Sequence, residues 1–225
     1  MTLPEQRLVR WPKASRIVPT RYPAITLFDR VADASDFDAL YALEALTNER
    51  LREQLGQIDR VAPADRVYGA GSGPIMAAFT HLNTEGSRFS AGDFGVFYAA
   101  RDRATAVAET CFHHARFLAD TQQPAMHLPM RLYTVAVSSR LHDLRPVAAA
   151  PAAVHDSSSY TASRALGARL HALGSPGVVY RSVRRPGGTC VGLFSPRGAN
   201  ACLHVAYLLY AWDGEAFSDI YEKTA

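Results

Sequence analysis

Four residues stand out for what their types could do together. Arg88, Tyr98 and Glu109 lie in SRFSAGDFGVFYAARDRATAVAET, and Ser182 lies in VVYRSVRRPGG. A guanidinium binds phosphate through parallel charge-assisted hydrogen bonds. A carboxylate set at a cleft stabilises positive charge developing on a ligand. A tyrosine supplies a flat wall, and a serine hydroxyl both donates and accepts. Each also has a plain role: a lone loop arginine is usually a solvated charge, a strand tyrosine is usually packed, and a helical glutamate usually faces water.

These residues need elements to carry them. Arg88 sits among turn residues in GSRFSAGDFG. Phe94–Ala100 (FGVFYAA) alternates as a strand, with Phe94, Val96 and Tyr98 on one face. Arg103–Ala119 reads as a helix whose buried stripe is Ala104, Val107, Ala108, Cys111, Ala115 and Leu118. That stripe places Glu109 well over 90° away, beside Thr105 and Arg116. Ser182 ends an apolar strand, Gly177–Val183, and precedes the basic cluster Arg181, Arg184 and Arg185, which reads either as a solvated rim or as an attractor of a phosphate-bearing ligand.

Around this core the chain reads as follows. Residues 1–34 form an arm and a short extended piece, because Pro4, Pro12, Pro19 and Pro23 block long helices. A helix is predicted over 36–55, with Ser35 and Asp38 at capping-box spacing, apolar residues Phe37, Leu40, Tyr41, Leu51 and Leu55, and Gly56 closing it. GAGSGP leads into a short helix with Pro74 near its first position. Met130–Val137, Cys190–Phe194 and Leu203–Leu209 read as strands, Tyr160–Leu173 as a helix, and Pro146–Val154 as a low-complexity loop. The fold class is α+β, because βα units do not alternate regularly.

Several chemistries are disfavoured. GAGSGP lacks the Lys-Ser/Thr of a phosphate-binding P-loop, and Pro74 stands where a dinucleotide fingerprint needs its third glycine. His113 and His114 are adjacent on a helix and point about 100° apart, so they do not chelate one metal; with no HExxH and no zinc spacing of cysteines, no metal is expected. No GxSxG elbow appears. The net charge is +3, and lysine occurs only at Lys13 and Lys223, so arginine supplies the cations without a block suited to nucleic acid. Three cysteines without CxxC point to reduced thiols and a cytoplasmic setting. The N-terminus lacks a signal-peptide apolar region, and no apolar run is long enough to span a bilayer.

Together, SRIVPTRYP, the Ser87–Thr110 stretch and YTASRALG…GVVYRSVRRPGG resemble the RES domain over about residues 14–212. The resemblance implies one RES-like domain over 1–225, with an arm over 1–13 and a helical insertion over about 36–82. It implies a mixed, split β-sheet core similar to that of the ADP-ribosyltransferase toxins, around an NAD+ cleft. It implies the toxin half of a toxin–antitoxin pair, which consumes NAD+ as co-substrate or transfers its ADP-ribose, and an Xre-like antitoxin partner that blocks the cleft. Residue by residue, Arg88 and Glu109 resemble the family's second arginine and its glutamate, Tyr98 its strand tyrosine and Ser182 its serine. The first arginine falls on Arg16, with Arg21 as a rival.

In that reading Arg16 and Arg88 clamp the pyrophosphate, Tyr98 walls the ribose end, Glu109 stabilises an oxocarbenium-like transition state, and Ser182 bonds ligand or holds Glu109. The acceptor is a protein, phosphate or water. The competing reading is a non-enzymatic basic module that binds nucleic acid or an acidic protein.

Overall fold

Two long strands carry the architecture of the computed structural model, which describes residues 3–22, 26–45 and 55–224. β1 (Gln6–Pro19) and β3 (Met126–Asp143) run antiparallel, from Gln6 opposite His142 to Pro19 opposite Met130. The prolines that forbid a helix here do not forbid a strand. Pro12 falls where the register shifts between Trp11 and Ala14, and Pro19 ends the strand, so neither removes a needed ladder bond. The sequence-predicted arm is therefore mostly strand.

The other edge of β3 is shared. Met126–Val137 pairs with β6 (Ala199–Trp212), and His142 and Asp143 pair in parallel with β4 (Gly177–Arg181). From β4 the sheet continues through β5 (Thr189–Leu193) to β2 (Phe97–Ala100), which meets β1 at Ser15. β7 (Phe217–Thr224) pairs with β6 at the far edge. The result is a seven-stranded mixed sheet, split at β3, in an α+β fold.

The helices cover both faces. α1 (Ala34–Ala45) and α2 (Gly73–Thr80) pack Phe37, Ile75, Met76 and Phe79 against Val135, Val137, Val179, Val191 and Leu193. On the opposite face, α3 (Arg103–Asp120) contributes Ala106 and α4 (Thr161–Ala172) contributes Leu170 to a cluster with Phe89, Val178, Tyr180, Cys190 and Tyr210. Covering on both sides explains the continuous apolar runs of β4 and β5, whose successive residues alternate between the two cores.

Several predicted bounds are corrected. β3 and β6 are much longer than Met130–Val137 and Leu203–Leu209, β2 starts at Phe97, and β7 was not foreseen. Cross-strand pairing extends strands through polar residues that carry no local apolar signal. The helix expected over 36–55 begins at Ala34. Its first N–H groups are met by Asp33 Oδ1, which accepts from Ser35 N at 2.9 Å and Asp36 N at 3.0 Å, so Asp33 and not Ser35 is the cap. Residues 46–54 of that expectation lie outside the described residues. Gly56 has φ 65°, the left-handed geometry of a helix-ending glycine. Pro74 does sit in the first turn of α2.

Candidate active site

The site assembles where β4 turns into β5. Ser182 follows β4 directly, and its N–H bonds Gly188 O at 2.9 Å, closing the VRRPGG hairpin. The Ser182 hydroxyl then has three fixed partners. It donates to Glu109 Oε1 at 2.6 Å and accepts from the backbone N–H of Arg184 and Arg185, both at 3.1 Å. Of the two roles the sequence left open for Ser182, the contact shown is the one to Glu109.

Glu109 therefore faces inward, which corrects the predicted helix stripe in part: Val107, Cys111 and Leu118 pack inward as expected, but the covered face also takes in Thr105, Ala106 and Glu109. The buried residues of α3 are Thr105, Ala106 and Leu118, while Ala104 is exposed. Thr105, one turn before Glu109 on the same face, is buried, and the hydroxyls of both Thr105 and Thr110 have partners within the protein. Thr105 Oγ1 donates to Asp102 Oδ2 at 2.8 Å, and Thr110 Oγ1 donates to Ala106 O at 2.9 Å and shares a 2.8 Å bond with Tyr210 Oη. A purely hydrophobic reading of the helix misses such residues. Asp102 also caps the helix, accepting from Thr105 N at 2.8 Å.

Arg88 is only 5% exposed. Its Nη1 donates to Asp156 O at 3.0 Å and more weakly to Val154 O at 3.4 Å, and its guanidinium carbon lies 4.4 Å from the centre of the Tyr160 ring. Its Nη2 is buried without a partner. Among the described residues no carboxylate forms an ion pair with it. Of the segment 151–160 that receives Arg88, the sequence marks only residues up to Val154 as low-complexity loop and Tyr160 as the start of a helix. Its contribution is made by carbonyls, which residue types do not advertise.

Tyr98 anchors the Arg88 loop. Its hydroxyl accepts from Phe89 N at 3.0 Å and shares a 2.8 Å bond with Ser87 Oγ. Burial pushes this phenol up to about 12, against the pull of the Ser87 and Phe89 bonds. α4 seals the same loop. Gly167 lies so close to Phe89 that a Cβ there would come within 1.9 Å of the Phe89 carbonyl oxygen. Tyr180 and Cys190 feel the charges of both Arg88 and Glu109, and Cys190 Sγ lies 4.0 Å from Glu109 Oε1. Burial first, and then the Glu109 charge, drives the Cys190 thiol well up, while Arg88 pulls it down. Cys190 is thus a neutral wall here.

The two candidates for the first arginine lie elsewhere. Arg16 Nη1 donates to the backbone carbonyl of Tyr98 at 2.8 Å, and its guanidinium sits over Phe97 at 4.4 Å. Phe97 and Tyr98 point to opposite faces of β2, so the Arg16 side chain lies on the face away from the Tyr98 ring. Arg21 is exposed and lies against Tyr22 and Phe117, near the C-terminal end of α3. The structure thus joins Arg88, Tyr98, Glu109 and Ser182 around one strand-end cluster. It leaves Arg16 behind that cluster and Arg21 at the far end of the helix.

Residues 62–213 match the RES domain family model, and the chain belongs to the RES domain family. The matched residues include Arg88, Tyr98, Glu109 and Ser182 but neither Arg16 nor Arg21. The uncharacterized protein y4oC of Sinorhizobium fredii is 28% identical over 212 residues, covering 92% of this chain and 85% of that protein. Among solved structures, the M. tuberculosis MbcT–MbcA toxin–antitoxin complex contains a similar chain, with a TM-score of 0.49 and 11% identity over 97% of this chain and 87% of that one. No helix among the described residues is long and apolar enough to cross a membrane.

Proposed function

We propose that this chain is the toxin of a toxin–antitoxin pair and cleaves NAD+ at the nicotinamide–ribose bond, passing ADP-ribose to an acceptor. The observation that carries the reading is the Glu109 carboxylate held by the Ser182 hydroxyl in the same cluster as the buried, anion-free Arg88. That pair of features fits a ligand with a diphosphate at one end and a reacting sugar at the other.

Nicotinamide leaves as a neutral base once its C1′–N bond breaks with the electron pair on nitrogen, so no strong general acid is required. The positive charge then falls on C1′ and the ring oxygen, where a fixed carboxylate is most effective. Glu109 is that carboxylate, and its orientation is set by Ser182, whose hydroxyl is already committed and serves no nucleophilic role. Arg88 neutralises the diphosphate. An acceptor hydroxyl or phosphate oxygen forms the new bond to C1′ and releases any proton to Glu109 or to water. Family membership supports a cognate antitoxin as partner, of the Xre-like type that the resemblance implies, and three cysteines without CxxC fit a protein that works in the cytoplasm.

The test is NAD+ consumption by purified protein, with and without phosphate and cell lysate, beside Glu109→Gln. Loss of at least roughly a hundredfold in turnover is expected for the variant, the scale of one strong electrostatic contact. Equal turnover in a folded variant would remove Glu109 from the mechanism. Dependence on phosphate or a labelled lysate protein would identify the acceptor.

A further inference from the structure

Arg184 is stacked rather than solvated. Its guanidinium carbon lies 3.2 Å from the centre of the Phe112 ring, and its Nη2 reaches Tyr160 Oη at 3.3 Å and also donates to Ser157 O. Arg88 covers the Tyr160 ring and donates to Asp156 O. One tyrosine and one short backbone segment therefore hold both arginines.

Neither guanidinium has a carboxylate partner among the described residues. Each keeps one buried nitrogen with no acceptor, Nη2 of Arg88 and Nε of Arg184. The nearest acid in the segment, Asp156, spends its Oδ1 on the N–H groups of Ser158 and Ser159 and on the Ser158 hydroxyl. His113, whose ring meets Tyr160 edge-on, brings no negative charge. Two like charges held close with unmet donors are costly unless an anion joins them. The rest of the basic cluster differs. Arg185 lies 3.5 Å from Asp102 and donates to Thr105, and Arg181 is exposed.

We infer that Arg184 is the second arm of a two-point phosphate clamp, set beside Arg88 around Tyr160, and that the clamp takes the diphosphate of a nucleotide. The inference deepens the NAD+ reading and rests on it for the ligand's identity. It gives Arg184 the role that the sequence assigned to Arg16.

Calorimetric titration of ADP-ribose, AMP, adenosine and inorganic diphosphate into wild type, Arg184→Gln, Arg184→Lys and Arg181→Gln tests it. Arg184→Gln should weaken ADP-ribose by roughly tenfold or more, the worth of a charged hydrogen bond, and leave adenosine unchanged. Arg184→Lys should recover only part of the loss, because it lacks the planar fork and stack. Arg181→Gln should bind as wild type. If Gln at 184 unfolds the protein, the partial loss in the Lys variant carries the test. Wild-type affinity in both 184 variants overturns the clamp while leaving the NAD+ reading intact. Equal weakening by Arg181→Gln overturns it in favour of a diffuse basic rim. Arg184-dependent diphosphate binding in a protein that never consumes NAD+ supports the clamp and removes the NAD+ reading. Failure of wild type to bind any of the phosphate compounds overturns the clamp.

Discussion

Replacing Tyr98 with phenylalanine deletes one oxygen and keeps the ring, which separates two roles that the residue could play. If Tyr98 acts only as a wall beside the ligand, the ring suffices and little changes. The structure assigns it a different duty: the hydroxyl ties the Arg88 loop to β2 through Phe89 N at 3.0 Å and Ser87 Oγ at 2.8 Å. Phe89 is fully buried, so its N–H has no water to turn to, and an unmet buried donor costs about 1–3 kcal/mol. Ser87 is half-buried, and its hydroxyl can rotate toward solvent, so its share is nearer the ~0.5–1.5 kcal/mol of an ordinary hydrogen bond. Phenylalanine no longer pays for burying a hydroxyl, which offsets part of the sum. A net loss of about 2 kcal/mol is expected, which for a chain of this size lowers the melting temperature by about 4–8 °C. Urea unfolding should show a lower midpoint at unchanged slope. ADP-ribose affinity should fall as well, because the loop that carries Arg88 is loosened. A midpoint within about 0.5 kcal/mol of wild type, the range of inert surface changes, together with normal affinity, would refute the strut and restore the wall.

The remaining expectations concern the neighbours of this loop. Ser182→Ala strips Glu109 of its donor and two backbone N–H groups of their acceptor, so it should cost about 1–3 kcal/mol and reduce turnover, while Ser182→Thr recovers much of both; unfolding and NAD+ assays on the two variants check this. Arg16→Met should lower stability by removing the bond to the Tyr98 carbonyl yet leave nucleotide affinity near normal, and a large affinity loss at full stability would return Arg16 to the clamp. His113 is held down to about 4, by burial first and then by Arg184 and Arg88. A bound diphosphate should raise it by cancelling the arginine contribution, visible as a shift in its imidazole titration by NMR on adding ADP-ribose. His113 and His114 are both held near 4, below their ordinary 6.5, so between these values the unfolded chain binds more protons than the folded one; stability is complete above about 6.5 and declines as pH falls toward 4. His113 keeps an exposed edge that moderates its share, so half-buried His114 is the firmer contributor, and His114→Gln should flatten the fall in the urea midpoint between pH 7 and pH 5.

Local chemistry alone determined a good part of this protein. β4, β5, α3 and α4 were legible because their signals are short-range: apolar runs, a helix opened after Asp102 and one closed before Gly174. Arg88, Tyr98, Glu109 and Ser182 were nameable because their types and order resemble one family's pattern. The tertiary structure decided what local signals do not encode. β1, β7 and the full length of β3 exist because distant strands satisfy their backbone groups, which allowed a proline-rich arm to become the spine of the sheet. Glu109 turns inward because the Ser182 hydroxyl meets its carboxylate and Thr105, one turn earlier on the same face, is buried with its hydroxyl satisfied, facts no hydrophobic stripe contains. The positions of Arg16 and Arg184 have a related reason. The alternation of β2 sends Arg16 to the far face, while the hairpin after Ser182 and the ring of Phe112 hold Arg184, which in sequence reads either as part of a solvated rim or as an attractor of a phosphate-bearing ligand.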